Sequence, residues 1–189
     1  MAVKNILKYL RRTKDMFLVY GGVTEELVVR CHTDASFNTD RDDSRSQSGY
    51  VFTLNGGDIA WKSSKQEVVA LSTIESEYIV ASEAAQEVDW MKKFIRDLEV
   101  VPSIKNAIEM LCDNTGAISI AKDPMVTNKT RHIQRKYNFI RQELELGNVF
   151  IGKVHTDENL ADPFTDPLSQ NKFEGHAKGI GLRIASDWI

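Results

Sequence analysis

The stretch from Tyr50 to Glu99 constrains the fold most. Tyr50, Phe52 and Leu54 alternate with Val51 and Thr53, Asn55-Gly56-Gly57 supplies residues suited to positive φ, and Ile59-Ala60-Trp61 resumes the apolar pattern. That sequence of signals predicts a β-hairpin. Beyond it, Ile74, Tyr78, Ala81, Ala85, Val88, Met91, Ile95 and Leu98 recur every three or four residues. This predicts a long helix from about Ser72 to Glu99 that lays one stripe on a sheet. Around the pair, the pattern predicts strands at 17–20, 27–34, 107–112 and 149–154. It predicts shorter helices at 4–12, 116–122 and 131–146, the last with Ile133, Tyr137, Ile140 and Leu144 as its inner stripe. Strands alternating with helices after an initial hairpin specify an α/β fold with a sheet of mixed direction. The polar run 38–48 reads as a surface loop.

A chain of 189 residues suits one packed domain. No apolar run approaches the roughly 20 residues that span a bilayer, so the chain reads as no membrane protein. The N-terminal residues mix basic and apolar side chains at helical spacing and do not form a secretion signal. Cys31 and Cys112 each fall in a predicted strand beside an aspartate, which suits buried thiols in a reducing compartment. The net charge of −3 argues against a general nucleic-acid binder, but the charge is unevenly spread. Lys122, Lys129, Arg131, Arg135, Lys136 and Arg141 face a single acid, Asp123, within 122–141. Such a patch contacts phosphates or is simply a solvated helix face.

Four acids stand where elements begin or end. Asp34 closes the Leu27–Asp34 strand, and Asp113 follows the Ala107–Cys112 strand in the same manner. Carboxylates at such strand ends either cap turns or converge to hold divalent metal ions. Two glutamates open the long helix. Ser72-Thr73-Ile74-Glu75 fits a capping box, which gives Glu75 a structural task. Glu77, four residues before Ala81, borders the small sheet-facing stripe and is placed to face Asp34. Asp162 lies in the helical turn opened by Asp157-Glu158-Asn159-Leu160-Ala161-Asp162-Pro163.

The motifs around these acids form an ordered set. They are Thr-Asp-Ala-Ser-Phe at 33–37, Ser-Gly-Tyr-Val-Phe at 48–52, Trp-Lys-Ser-Ser-Lys-Gln at 61–66 and Ala-Leu-Ser-Thr-Ile-Glu-Ser-Glu-Tyr at 70–78. Cys-Asp-Asn-Thr-Gly-Ala at 112–117, Arg-His-Ile at 131–133 and Glu-Asn-Leu-Ala-Asp-Pro-Phe-Thr at 158–165 complete it. The set resembles the ribonuclease H domain that ends the polyprotein of Ty1/copia-type retrotransposons, in a form similar to plant elements, over roughly residues 1–183.

The resemblance implies a ribonuclease H-like α/β fold, a five-stranded mixed sheet with helices on both faces. It implies a connecting segment at 1–25 like the end of reverse transcriptase, a ribonuclease H-like domain at 26–168 and a helical tail at 169–189. It implies a metal-dependent endonuclease that cuts the RNA strand of RNA/DNA hybrids, with Asp34, Glu77, Asp113 and Asp162 as catalytic and metal-binding residues. In that scheme Asp34 bridges two Mg²⁺ (or Mn²⁺) ions, Glu77 and Asp113 complete one site, and Asp162 serves the water-activating side. Expected substrate contacts are Ser36, Lys62, Lys65, Asn114, Arg131 and His132; each is equally compatible with an ordinary surface role. His155 is placed to assist product release or to end a strand. The implied partners are the hybrid and the reverse transcriptase portion of the same polyprotein, in a cytoplasmic particle or the nucleus. Two positions depart from the family pattern: Asp166 stands where Lys is common, and Asn138 where His is common. The alternative reading is a catalytically weak or inactive retrotransposon-derived module that binds nucleic acid or a protein partner.

Overall fold

The computed structural model describes residues 2–21, 27–40, 42–122 and 134–184. Helix α1 (Ala2–Thr13) leads into a short strand β1 (Met16–Leu18). Strands β2 (Val29–Ser36), β3 (Gln47–Leu54) and β4 (Gly57–Lys65) then form an antiparallel meander. The β3–β4 hairpin turns on Asn55 and Gly56, at φ of 51° and 80°. Positive φ at both central residues is what the right-handed twist of the flanking strands demands. Gly57, expected to share in that turn, instead pairs with Leu54 as the first residue of β4.

Helix α2 (Thr73–Leu98) follows. Its N-cap is Ser72, whose hydroxyl accepts from the Glu75 amide at 3.1 Å, while the Glu75 carboxylate accepts from the Leu71 amide at 2.6 Å. Glu75 is thus committed to the helix start, as the capping box requires, although it reaches one residue further back than the N-cap amide. The stripe Tyr78, Ala81, Ala85, Val88, Met91 and Ile95 is buried, but Ile74 is 37% and Leu98 51% exposed. A stripe read from sequence runs straight, whereas the sheet beneath twists away from both ends of so long a helix.

Strand β5 (Ile108–Cys112), helix α3 (Thr115–Lys122), helix α4 (Gln134–Glu145) and strand β6 (Val149–Lys153) complete the main layers. The sheet order is β4-β3-β2-β5-β6, with β5 parallel to both β2 and β6. This is an α/β fold on a five-stranded mixed sheet. Phe52, Tyr78, Met110, Ile140 and Ile151 are among the fully buried side chains of its core. Within the expected 38–48 loop, Gln47 and Ser48 belong to β3, and Ser46 and Ser48 are wholly buried. Ser48 is satisfied by Gln66 Nε2 at 2.9 Å, so a polar side chain occupies an interior position without an unmet hydrogen bond.

Two 3₁₀ turns, Thr156–Glu158 and Asp162–Phe164, precede helix α5 (Gln170–Gly179) and strand β7 (Leu182–Ile184). β7 pairs with β1 in a separate two-stranded antiparallel sheet, Met16 opposite Ile184. Among the described residues no helix is long and apolar enough to cross a membrane.

Candidate active site

The register of the sheet sets the site. Thr33 pairs with Cys112 across the parallel β2–β5 ladder, so the next residues, Asp34 and Asp113, stand side by side at the C-terminal end of that pair. In open α/β sheets this end is where ligands bind. Asp34 does not terminate its strand, because β2 continues to Ser36 against β3. Glu77, one turn into α2, is held over β2 by the Ala35 amide, which donates to its Oε1 at 3.3 Å. Ligand atoms of Glu77, Cys112 and Asp113 all lie within 4.8 Å of one another.

Asp162 arrives from the far end of the chain. Asn159, wholly buried, donates from Nδ2 to the Thr33 carbonyl at 2.9 Å and accepts from the Ala161 amide at 3.2 Å. The turn that follows lies against Gly49, the partner of Asp34 across β2–β3. A Cβ at position 49 would stand 2.7 Å from Thr165 Cγ2 and 2.9 Å from Phe164 Cβ, so only glycine admits the turn. Thr165 closes the join: its hydroxyl donates to Asp34 Oδ2 and its oxygen lies 3.1 Å from the Asp162 carbonyl oxygen.

The electrostatics link Asp34 to Asp113 and Asp162, and Glu77 to Asp34 and Asp113. Burial pushes Asp34 up to about 6, opposed by the Thr165 hydrogen bond and reinforced by Asp113, Asp162 and Asp166. Burial pushes Glu77 up to about 9, with repulsion from Asp34 and Asp113 adding to it and the bonds from Ala35 and Cys112 opposing it. Asp162 is also raised by burial, countered by His176 and Lys172 and reinforced by Asp166 and Asp113. His176, itself buried, stands 3.9 Å behind Asp162 Oδ2. The Cys112 thiol, 3.8 Å from Glu77 Oε2, is pushed up to about 12 by its burial and by that glutamate, so it stays protonated. Carboxyls raised in this way hold protons that a hard divalent cation can displace, and their oxygens are a donor set suited to such an ion.

The expected substrate contacts are placed unevenly. Ser36 Oγ donates to Asp166 Oδ1 at 2.8 Å, beside the acids. Asn114 Oδ1 accepts from the Ala117 amide at 3.1 Å, capping α3. Lys62 pairs with Glu83 at 3.4 Å, and Lys65 with Asp40 and Asp43 at 2.6 and 2.8 Å. Arg131 and His132 lie outside the described residues, as does much of the basic patch. His155 is exposed and its Nδ1 accepts from the Asp157 amide. Gly49, Asn159 and Thr165 lie inside the motifs at 48–52 and 158–165, yet their positioning roles depend on partners more than a hundred residues away.

No family model matches the chain. It is 39% identical over 181 residues, 96% of its length, to the retrovirus-related Pol polyprotein from transposon TNT 1-94 of Nicotiana tabacum. It is 32% identical over 183 residues, again 96%, to that from transposon RE2 of Arabidopsis thaliana. The chain spans 13% and 12% of those relatives' lengths. Among solved structures it is similar to a ribonuclease H1 isolated from compost, with a TM-score of 0.53 at 16% identity, covering 73% of this chain and 92% of that one. The same enzyme in complex with an RNA/DNA hybrid gives a TM-score of 0.52 at 15% identity, covering 72% and 93%. The chain thus belongs with the Pol polyproteins of Ty1/copia-type retrotransposons and has the ribonuclease H fold.

Proposed function

We propose that the protein is a metal-dependent ribonuclease H that hydrolyses the RNA strand of RNA/DNA hybrids. The observation that carries this reading is the meeting of Glu77 and Asp113, whose ligand atoms lie within 4.8 Å, with Asp34, which repels both, and with Asp162, which Asp34 and Asp113 both face electrostatically. Such an arrangement is unfavourable in a folded protein unless protons or bound cations neutralise it, and cations that displace the protons keep the carboxylates in their anionic form. The likeness to retrotransposon Pol proteins and to a ribonuclease H1 solved with a hybrid supports the same substrate.

In this reading Asp34, Glu77, Asp113 and Asp162 would together hold divalent ions, Mg²⁺ or Mn²⁺, with Asp162 on the side where the water is activated. When bound, such ions lower the pKa of an attacking water and stabilise the leaving 3′ oxygen. The protein's own contribution is placement. Thr165 fixes the rotamer of Asp34, Asn159 ties the Asp162 turn to β2, and the Ala35 amide orients Glu77. Hybrid recognition rests on shape and on the 2′-hydroxyl; Ser36 and Asn114 border the acids, while Lys62 and Lys65 leave their present carboxylate partners to meet phosphates. Arg131 and His132 remain proposed contacts. Residues 1–25 join a preceding reverse transcriptase, the partner in the same polyprotein, to the unit of residues 26–168, and 169–189 form its tail.

The test is cleavage of an end-labelled hybrid with Mg²⁺ or Mn²⁺. Wild-type turnover that disappears in Asp34→Asn supports the assignment, and equal turnover in the two proteins overturns it. One observation favours a binding module without catalysis: Asp166 adds a further negative charge beside Asp34 and Asp162. Measurable hybrid affinity with no turnover in either metal would select that reading.

A further inference from the structure

A second site borders the Asp162–Asp166 turn. A cleft of about 490 Å³, open to solvent along one side, lies between α1, β4, that turn, α5 and β7. Its size is in the range of small-ligand sites, roughly 300–1,000 Å³. Tyr9, Trp61, Phe164 and Phe173 supply aromatic walls, Asp58 and Asp166 supply two carboxylates, and among the described residues no basic side chain lines it. Tyr9 and Phe173 meet edge to face at 5.9 Å, which braces one wall.

Asp58 is the unexplained group. Its backbone is fully engaged, the amide donating to the Ile180 carbonyl at 3.1 Å and the carbonyl accepting from the Tyr20 hydroxyl. The side chain has no corresponding task. It is only 5% exposed, and its Oδ1 has no hydrogen-bond partner among the described residues. A buried carboxylate without a donor or countercharge is costly and calls for a partner. Burial with no opposing cation pushes its pKa up to about 7.

We propose that this cavity binds a small organic ammonium ion, whose N–H groups meet Asp58 and whose apolar body lies among Tyr9, Trp61, Phe164 and Phe173. The carboxylates select the positive charge. The aromatic faces add cation–π attraction and cover the hydrocarbon part. Within this cavity the two acids repel anionic ligands, while the basic residues Lys8, Arg12 and Lys178 line the adjoining cavity that shares Tyr9 and Phe173 with it. Because Pro163, Phe164 and Asp166 form part of the wall, an occupant also braces the turn that carries Asp162 and Thr165.

The experiment titrates the full chain with 2-phenylethylammonium at a pH above that of Asp58 ionisation, following the Trp61 indole N–H by ¹H–¹⁵N NMR. Neutral 2-phenylethanol and anionic 3-phenylpropionate are the controls. The expected result is a saturable Trp61 shift with a dissociation constant of roughly 1 mM, as befits a ligand of this size. The alcohol binds at least tenfold more weakly and the carboxylate does not bind. Asp58→Asn, which keeps shape and removes charge, weakens the ammonium at least tenfold. Absence of saturation in the millimolar range overturns the proposal. So does equal affinity for the alcohol, or unchanged affinity in Asp58→Asn. The wild-type comparison of ammonium with alcohol decides the matter even where the variant fails to fold.

Discussion

Asn159 donates to the carbonyl of Thr33 at 2.9 Å, across 126 positions of chain. One buried amide side chain therefore fixes where the Asp162 turn meets the strand that carries Asp34. Asn159→Ala leaves the Thr33 carbonyl and the Ala161 amide without their partner. Loss of about 1–3 kcal/mol is expected, read as a lower urea midpoint at unchanged m-value.

Asp34→Asn separates function from stability. The amide still accepts from Thr165, so packing is kept, while the buried charge and its repulsion with neighbouring acids are removed. Hybrid cleavage falls by several kcal/mol of barrier, on the order of 10³-fold. The metal-free protein, in contrast, is stabilised by about 1–3 kcal/mol above pH 6. Parallel cleavage assays and thermal melts check both halves, and a destabilised variant contradicts the second.

The pH dependence of the metal-free protein follows from the raised carboxyls. Glu77 titrates at about 9 in the folded chain against an ordinary 4.5, so between those values the folded state binds the proton and the unfolded state does not. Stability therefore falls as pH rises through that window, with Asp34 contributing between 3.8 and about 6. Mn²⁺, which competes with those protons, raises the melting temperature more at pH 8 than at pH 6. Glu77→Gln flattens the metal-free slope; an unaltered slope in that variant rules out Glu77 as its source.

Gly49→Ala tests the fit of the turn. Its Cβ would meet Thr165 Cγ2 at 2.7 Å and Phe164 Cβ at 2.9 Å, neither of which is the far end of a flexible chain. An overpacking cost of about 1–3 kcal/mol is expected. Cleavage should fall more than it does in a surface control of equal stability, because displacement of Thr165 also releases Asp34.

What could be read from sequence divides along physical lines. The hairpin and the long helix were legible because turn residues and apolar periodicity are local. Glu77 was separable from Glu75 because capping is local too, and the cap is where it was expected. The buried polar pair Ser48 and Gln66 was not legible, since nothing in the polar run 38–48 distinguishes an interior serine from a loop serine. Gly49, Asn159 and Thr165 were unassigned for the same reason: each acts through a neighbour supplied by a remote segment. Lys65 looked available for phosphate, but Asp40 and Asp43 from the preceding loop fold back to meet it.

The antiparallel match of β1 with β7 joins residues near position 16 to residues near position 184. A contact of such sequence separation is entropically late to form. During synthesis, α1 and β1 leave the ribosome early but wait for their strand partner until almost everything between them has been translated. The topology therefore leads one to expect the central sheet to assemble first and the β1–β7 clasp to shut last.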